Sequence, residues 1–150
     1  MNIRKLKIDE KPPMDLLLLA DPSPSAVEDY RKRGECFIAE RDEKIMGVYI
    51  LLASRPETAE LVNVAVAEDE QGKGIGKRLV MDADHTAKRK GFKTIEVGTG
   101  NSGIGQITLY QKCGFRIVGV DLDFFIRRYP EEIFENGIPC RDMIRLSQDL

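Results

Sequence analysis

The stretch Gln71-Gly72-Lys73-Gly74-Ile75-Gly76-Lys77-Arg78 constrains the fold more than any other part of the chain. It stands between a Val- and Leu-rich run, Glu60 to Ala67, and a segment in which Ile75, Leu79, Val80, Ala83 and Ala87 recur at helical spacing. The spacing predicts strand, glycine turn, helix. That helix ends in Lys88-Arg89-Lys90, cations suited to the C-terminal dipole, with Gly91 as its C-cap. Glycines let backbone amides approach a ligand without Cβ obstruction. The unpaired amides at a helix start, with the dipole behind them, form an anion site. Lys73, Lys77 and Arg78 add positive charge, so phosphate or pyrophosphate is the ligand to expect. A P-loop does not fit, because Arg78 follows Gly76-Lys77 and Gln71 stands where its first glycine belongs. A dinucleotide fingerprint lacks its third glycine, which Lys77 replaces, although Glu96 stands where a ribose-binding acid would fall.

The other elements follow from periodicity and breakers. Ile3 to Ile8 reads as a first strand, Pro12-Pro13 opens a helix, and Pro22-Ser23-Pro24 breaks it. Ser25 caps a second helix that ends at Gly34. Cys36 to Glu40 and Ile45 to Ala53 form an antiparallel hairpin across the polar turn Arg41-Asp42-Glu43-Lys44. Phe92 to Val97 is the strand after the glycine-loop helix. A short helix runs from Ile107 to Lys112, and Phe115 to Val120 is a strand. A long excursion covers Tyr129 to Pro139, and Met143 to Leu146 is the last strand. The order predicts one α/β (α+β) domain over residues 1–150 with a mixed sheet.

Charge narrows the partners. With 23 Lys+Arg against 25 Asp+Glu, the net charge of -2 gives no case for nonspecific nucleic-acid or membrane-surface binding. The run Leu16-Leu17-Leu18-Leu19-Ala20 is far short of the ~20 apolar residues of a membrane span. Cys36, Cys113 and Cys140 suit neither a disulfide framework nor a metal site, so reduced thiols and a cytoplasmic location are expected. His85, the lone histidine, is read as a surface residue.

Two ordered motifs carry a family resemblance. Val66 through Gly76 resembles the acyl-CoA-binding element of the GNAT N-acetyltransferase superfamily, Gln/Arg-x-x-Gly-x-Gly/Ala, matched at Gln71, Gly74 and Gly76. Asn101 with Leu109-Tyr110-Gln111-Lys112-Cys113-Gly114-Phe115 resembles the family's Asn…Leu-Tyr-x-x-x-Gly-Phe element. Asn63-Val64-Ala65-Val66, Ile95-Glu96-Val97 and the ending Asp142-Met143-Ile144 are similar to the bacterial ribosomal-protein alanine acetyltransferases, while Asp123 to Tyr129 departs from that group. The subgroup's peptide acceptor is therefore not carried over.

The resemblance implies a mostly antiparallel sheet flanked by helices and acetyl-CoA as acyl donor. It implies that Gly72, Lys73, Gly74, Ile75, Gly76 and Lys77, with Gln71, cradle the pyrophosphate. Val64, Ala65 and Val66 would pair main-chain groups with the pantetheine arm, as an added strand would. In the family that strand splays from its neighbour. A Val64 or Val66 amide would polarise the thioester carbonyl. Within the second motif Tyr110 would protonate the departing sulfur, whereas taken alone it reads rather as a half-buried packing residue. Glu96, directly or through water, is the favoured base, with Glu60 in reserve. Asn101 either orders its loop or touches the cofactor. The implied reaction is direct transfer to a primary amine of a small molecule or protein, since no activated nucleophile stands out. A noncatalytic acyl-CoA-binding domain is the alternative. Asp121, Asp123, Glu131, Glu132 and Glu135 are candidates for holding a cationic acceptor. Phe124, Phe125 and Ile126 would cover the acceptor site or meet a second copy in a homodimer.

Overall fold

The strands are β1 (Asn2–Lys5), β2 (Glu35–Arg41), β3 (Lys44–Arg55), β4 (Thr58–Val66), β5 (Thr94–Gly100), β6 (Arg116–Asp121), β7 (Phe134–Glu135), β8 (Ile138–Pro139) and β9 (Met143–Asp149). The helices are α1 (Met14–Ala20), α2 (Pro24–Arg33), α3 (Ile75–Arg89), α4 (Ile104–Lys112) and α5 (Phe124–Arg128). This computed structural model describes all residues, Met1–Leu150. Seven strands form one sheet in the order β1-β2-β3-β4-β5-β9-β6, and β7 pairs with β8 as a separate hairpin. Within the sheet every pair is antiparallel except β4 with β5, the mixed and mostly antiparallel arrangement expected.

Apolar side chains cover both faces of the sheet. On one face Ile75, Leu79, Val80, Ala83 and Ala87 of α3, with Tyr110 of α4, pack on Leu61, Ile95, Val97 and Leu146. On the other, Leu17 of α1 and Val27 and Tyr30 of α2 pack on Ile38, Val48, Ile50 and Ala65. Leu79 and Leu17 are completely buried. Each such burial contributes about 2 kcal/mol of transfer free energy.

The lone parallel pair creates the site. Register between β4 and β5 holds only from Thr58↔Thr94 to Leu61↔Val97. Beyond it β4 follows β3 up to Val66, and β5 follows β9 up to Gly100. The two strands diverge, and a gap opens in the middle of the sheet.

Several expected boundaries move, each for a local reason. The first strand stops early because Glu10 turns the chain, its carboxylate accepting from the Lys7 amide at 2.8 Å. Ile8 is left fully exposed. Ser23, not Ser25, caps α2: Ala26 N–H donates to Ser23 Oγ at 3.2 Å and Pro24 takes the first helical position, which tolerates proline. β5 runs on through glycines expected in a loop. Gly98 and Gly100 leave the room that Met143, Cys140 and Phe125 fill. α4 starts at Ile104, a turn before the expected Ile107, and α5 was not expected.

Candidate active site

The glycine loop behaves as its sequence predicts. Gly72 and Gly74 have φ of 78° and 84°, a left-handed conformation that favours glycine, and a Cβ at either would meet open space. Gly74 is the N-cap of α3 and makes no side-chain cap; the first helical bond runs from Arg78 N–H to Gly74 O at 3.2 Å. The amides of residues 72 to 77 are therefore free of backbone partners. They border a hollow of about 230 Å³ that Val66, Gly76 and Leu109 also line. A Cβ at Gly76 would enter it, 3.5 Å from Leu109 and 3.8 Å from Val66. A row of unpaired donors around a hollow of this kind fits a diphosphate. Ile75 gives only its amide, since its side chain is core.

Side chains around the loop mostly shape it. Gln71 donates Nε2–H to Val66 O at 3.1 Å, closing the strand-to-helix turn. Lys73 is held by Glu70 at 3.1 Å. Glu70, in the acidic turn Glu68-Asp69-Glu70 before the glycines, is buried, and Lys73, Arg41 and Lys44 surround it. Bonding to Lys73 lowers its carboxyl below the usual range. Lys77 and Arg78 stay unpaired beside the amides.

The gap exposes backbone. Ala67 N–H donates to Met46 O at 2.9 Å, and antiparallel bonding alternates, so Ala65 and Asn63 also bond toward β3. Val64 and Val66 then direct their N–H and C=O groups into the gap. Val66 O is taken by Gln71, which leaves both valine amides and Val64 O. Ala65 offers the gap nothing, because its backbone serves β3 and its methyl lies in the α1/α2 core.

Tyr110 is buried, edge-on to Phe115 with ring centroids 6.0 Å apart. Burial pushes its phenol well above the ordinary value. Its hydroxyl makes no hydrogen bond within the chain and is not sealed from solvent. Glu96 forms an ion pair with Arg55. Its neighbour in register is Glu60, one step before the gap begins. Burial raises the Glu60 carboxyl, Arg145 offsets part of that, and the Glu96 charge raises it further.

Asn101 is spent on order. Its Oδ1 accepts from Arg141 N–H at 2.8 Å and Asp142 N–H at 2.9 Å, and Nδ2 donates to Pro139 O at 3.1 Å. The side chain ties the end of β5 to the segment entering β9.

Four polar residues not singled out for the site meet on the α1/α2 side of the gap. Asn63 donates Nδ2–H to Leu17 O at 3.0 Å and to Tyr30 Oη at 2.8 Å. Tyr30 donates to Asp21 at 3.1 Å, and Tyr129 donates to the other Asp21 oxygen at 2.8 Å. Burial raises both phenols. The one cue in the sequence is Asn63, a polar residue inside a Val-rich strand. The carboxylates expected to hold a cation are paired or open to solvent: Asp121 pairs with Arg127 and Arg145, Asp123 with Arg141, and Glu131, Glu132 and Glu135 are exposed. Phe124 and Phe125 are half-buried against each other, Arg128 and Tyr129.

Comparison with known proteins identifies the family and the fold. The acetyltransferase (GNAT) family model matches residues 4–115. A relative described as an uncharacterized N-acetyltransferase, YvbK of Bacillus subtilis, is 56% identical with both chains fully covered. An IAA acetyltransferase from Bacillus cereus superposes with a TM-score of 0.96 at 52% identity, covering 99% of each chain. A GNAT acetyltransferase from Elizabethkingia anophelis, solved with acetyl-CoA bound, gives 0.97 at 46% identity, covering 99% of this chain and 97% of that one. The ribosomal-protein-S18-alanine N-acetyltransferase of Escherichia coli shares the fold, with a TM-score of 0.78 at 20% identity over 99% of this chain and 92% of that one.

Proposed function

We propose direct acetylation of a primary amine, on the premise that the chain belongs to the GNAT acetyltransferase family. It is an acetyl-CoA-dependent N-acetyltransferase. The observation that carries the mechanism is the opened β4–β5 gap, with unpaired valine amides continuous with the free amides of the glycine loop. The amides of residues 72 to 77 would hold the diphosphate, with Lys77 and Arg78 adding charge. Val64 and Val66 would hold the pantetheine arm as a strand partner does, and one of their N–H groups would polarise the thioester carbonyl.

The amine must shed a proton before it attacks, since a lysine-type ammonium titrates near 10.4. The expected base was Glu96, and the structure gives it a cation, Arg55. Its register neighbour Glu60 is the carboxyl raised by burial and by Glu96, which moves it toward the working pH of a base. Glu60, through water, takes the amine proton, and Glu96 sets its affinity for that proton. The nitrogen bonds to the carbonyl carbon and the carbon–sulfur bond breaks. Tyr110, kept protonated by burial, gives its proton to the departing sulfur and is restored by the second proton leaving the nitrogen of the tetrahedral adduct, while the proton on Glu60 passes to solvent. The products are an N-acetyl amide and free CoA thiol.

No helix is long and apolar enough to cross a membrane. We place the protein in the cytoplasm, which its three buried free cysteines suit. Contact with a second copy would use the exposed Ile117, Val118 and Val120 on edge strand β6 more readily than Phe124 and Phe125. The test is thiol release from acetyl-CoA against a panel of primary amines, beside a melting assay. CoA raises the melting temperature by mass action, and NAD or ATP does not. Stabilisation by CoA without thiol release from any amine would instead establish the noncatalytic binding domain.

A further inference from the structure

Asp21 occupies a particular position. It lies in the turn between α1 and α2, which pack on β3 and β4. Its Oδ1 accepts from Tyr129, which follows α5, and Tyr129 packs on Phe125 with centroids 5.4 Å apart. Phe125 in turn lies against Gly100 at the end of β5. The carboxylate thus bridges the elements over the two lips of the gap, on the sheet face opposite α3. Through Tyr30 it connects to Asn63, which stands on β4 beyond the last β4–β5 pair.

The partners of Asp21 are all neutral: two phenol hydroxyls and the Ser23 amide at 3.1 Å. Burial keeps both phenols protonated, so they act as donors to a carboxylate. Asp121 and Asp123 each have an arginine. Asp21 is a held negative charge with no cation of its own. Two carboxylate oxygens offer about four acceptor sites, and three are used. In the same network Asn63 is buried at 4% exposure with its Oδ1 unpartnered.

We infer that Asp21, braced by Tyr30 and Tyr129, anchors a second and non-reacting ammonium group on the acceptor, so that preferred acceptors are diamines or other amines carrying a separate cation. This rests on the amine-acetylation reading above and names its substrate class. The reacting nitrogen is not the group Asp21 holds. A carboxylate beside an ammonium stabilises the charged form and would oppose the deprotonation that attack requires. A group that keeps its charge throughout the reaction gains from such a partner.

The experiment compares two acceptors with the same reacting end, 1,4-diaminobutane and butylamine, at saturating acetyl-CoA. The wild type should favour the diamine by at least about tenfold in kcat/KM, chiefly through KM, and the advantage should shrink as salt is raised. Asp21→Asn should bring the ratio to about one while leaving CoA affinity and butylamine turnover within about twofold. Tyr129→Phe removes a strut and keeps the charge, so it should retain the diamine preference whatever it does to melting temperature. A wild-type ratio near one overturns the inference and leaves the transferase reading standing, since butylamine is still acetylated. Equal losses on both amines in Asp21→Asn, or loss of the preference in Tyr129→Phe, would assign the network to structure alone and also overturn it. Failure of both amines in the wild type overturns the inference together with the amine-acetylation reading.

Discussion

The two sides of the β4–β5 gap are built by different means. On the α3 side, the groups we assign to recognition are backbone amides from one contiguous stretch, residues 72 to 77, and side chains such as Gln71, Glu70 and Lys73 mainly hold that backbone in shape. On the α1/α2 side, they are side chains gathered from distant parts of the chain: Asp21, Asn63 and Tyr129, with Glu60 and Glu96 at the floor. A backbone device needs a few glycines and a helix, and tolerates most side-chain change. A side-chain device is specific and changes with each substitution. One side suits a constant acyl donor, the other a variable acceptor.

The comparison breaks first at Gly74. If the donor is held by backbone, a substitution that disturbs only backbone should cost the most. Gly74→Val places a branched side chain at a φ of 84°, so the turn must rearrange and its amides lose their aim. We expect CoA affinity to fall about 100-fold, equivalent to about 2.7 kcal/mol, as read by calorimetry. Acceptor KM should be unchanged at saturating donor. A loss smaller than tenfold would move recognition onto Lys77 and Arg78.

Tyr110 tests the α3 side in the opposite way, as a side chain whose role is chemical. Tyr110→Phe keeps the packing on Phe115 and removes a hydroxyl that bonds nothing in the chain. Turnover should drop about 100-fold with the CoA dissociation constant preserved. Thiol-release kinetics with unchanged kcat would take Tyr110 out of the mechanism.

On the acceptor side the Glu60–Glu96 pair gives a smaller and directional effect. Activity needs the base deprotonated, so kcat/KM falls on the acid side of its pKa. Glu96→Gln removes a neighbouring negative charge and releases Arg55, and both changes lower the Glu60 pKa. The acid limb of the pH–rate profile should move to lower pH, with no more than about a tenfold change in the plateau. Glu60→Gln should abolish the limb. If instead Glu96→Gln abolishes it, the proton goes to Glu96.

How much could be read in advance follows the same division. The α3 side was legible because its signal is local: glycines, a strand before them and a helix after them within one short window. The splay of β4 from β5 came only through the resemblance, because it depends on β3 and β9 pulling two strands apart, and no residue in either strand marks it. The Asp21 cluster was invisible for a similar reason. Asp21 and Tyr129 are far apart in sequence, and Pro22 beside Asp21 reads only as a helix stop. Glu96 stood out as a carboxylate in an apolar strand, yet Arg55, which holds it, comes from another strand. Asn101 belonged to a motif, and only its three backbone bonds showed which of its two expected roles it fills.

The smallest effect concerns stability. Asp84 lies on α3 among the packing residues, away from the free amides, and accepts from Gln148 Nε2–H at 2.8 Å while its Oδ1 is buried without a partner. Burial raises its carboxyl to about 6, and the Gln148 bond offsets only part of that. A carboxyl whose folded pKa exceeds its unfolded value favours the folded state when protonated. Its contribution is fully present below about pH 4 and is lost as pH rises through 6. At neutral pH the ionised Asp84 is therefore a liability, and Asp84→Asn should stabilise the fold by about 1 kcal/mol after allowance for solvent screening. Below about pH 4 the gain should vanish. Denaturant unfolding at pH 4 and pH 7.5 measures both ends. CoA affinity should stay put if, as proposed, the side chains on this side of the gap pack and the backbone binds. Weaker CoA binding in Asp84→Asn would show that α3 reports its packing to the loop at its head.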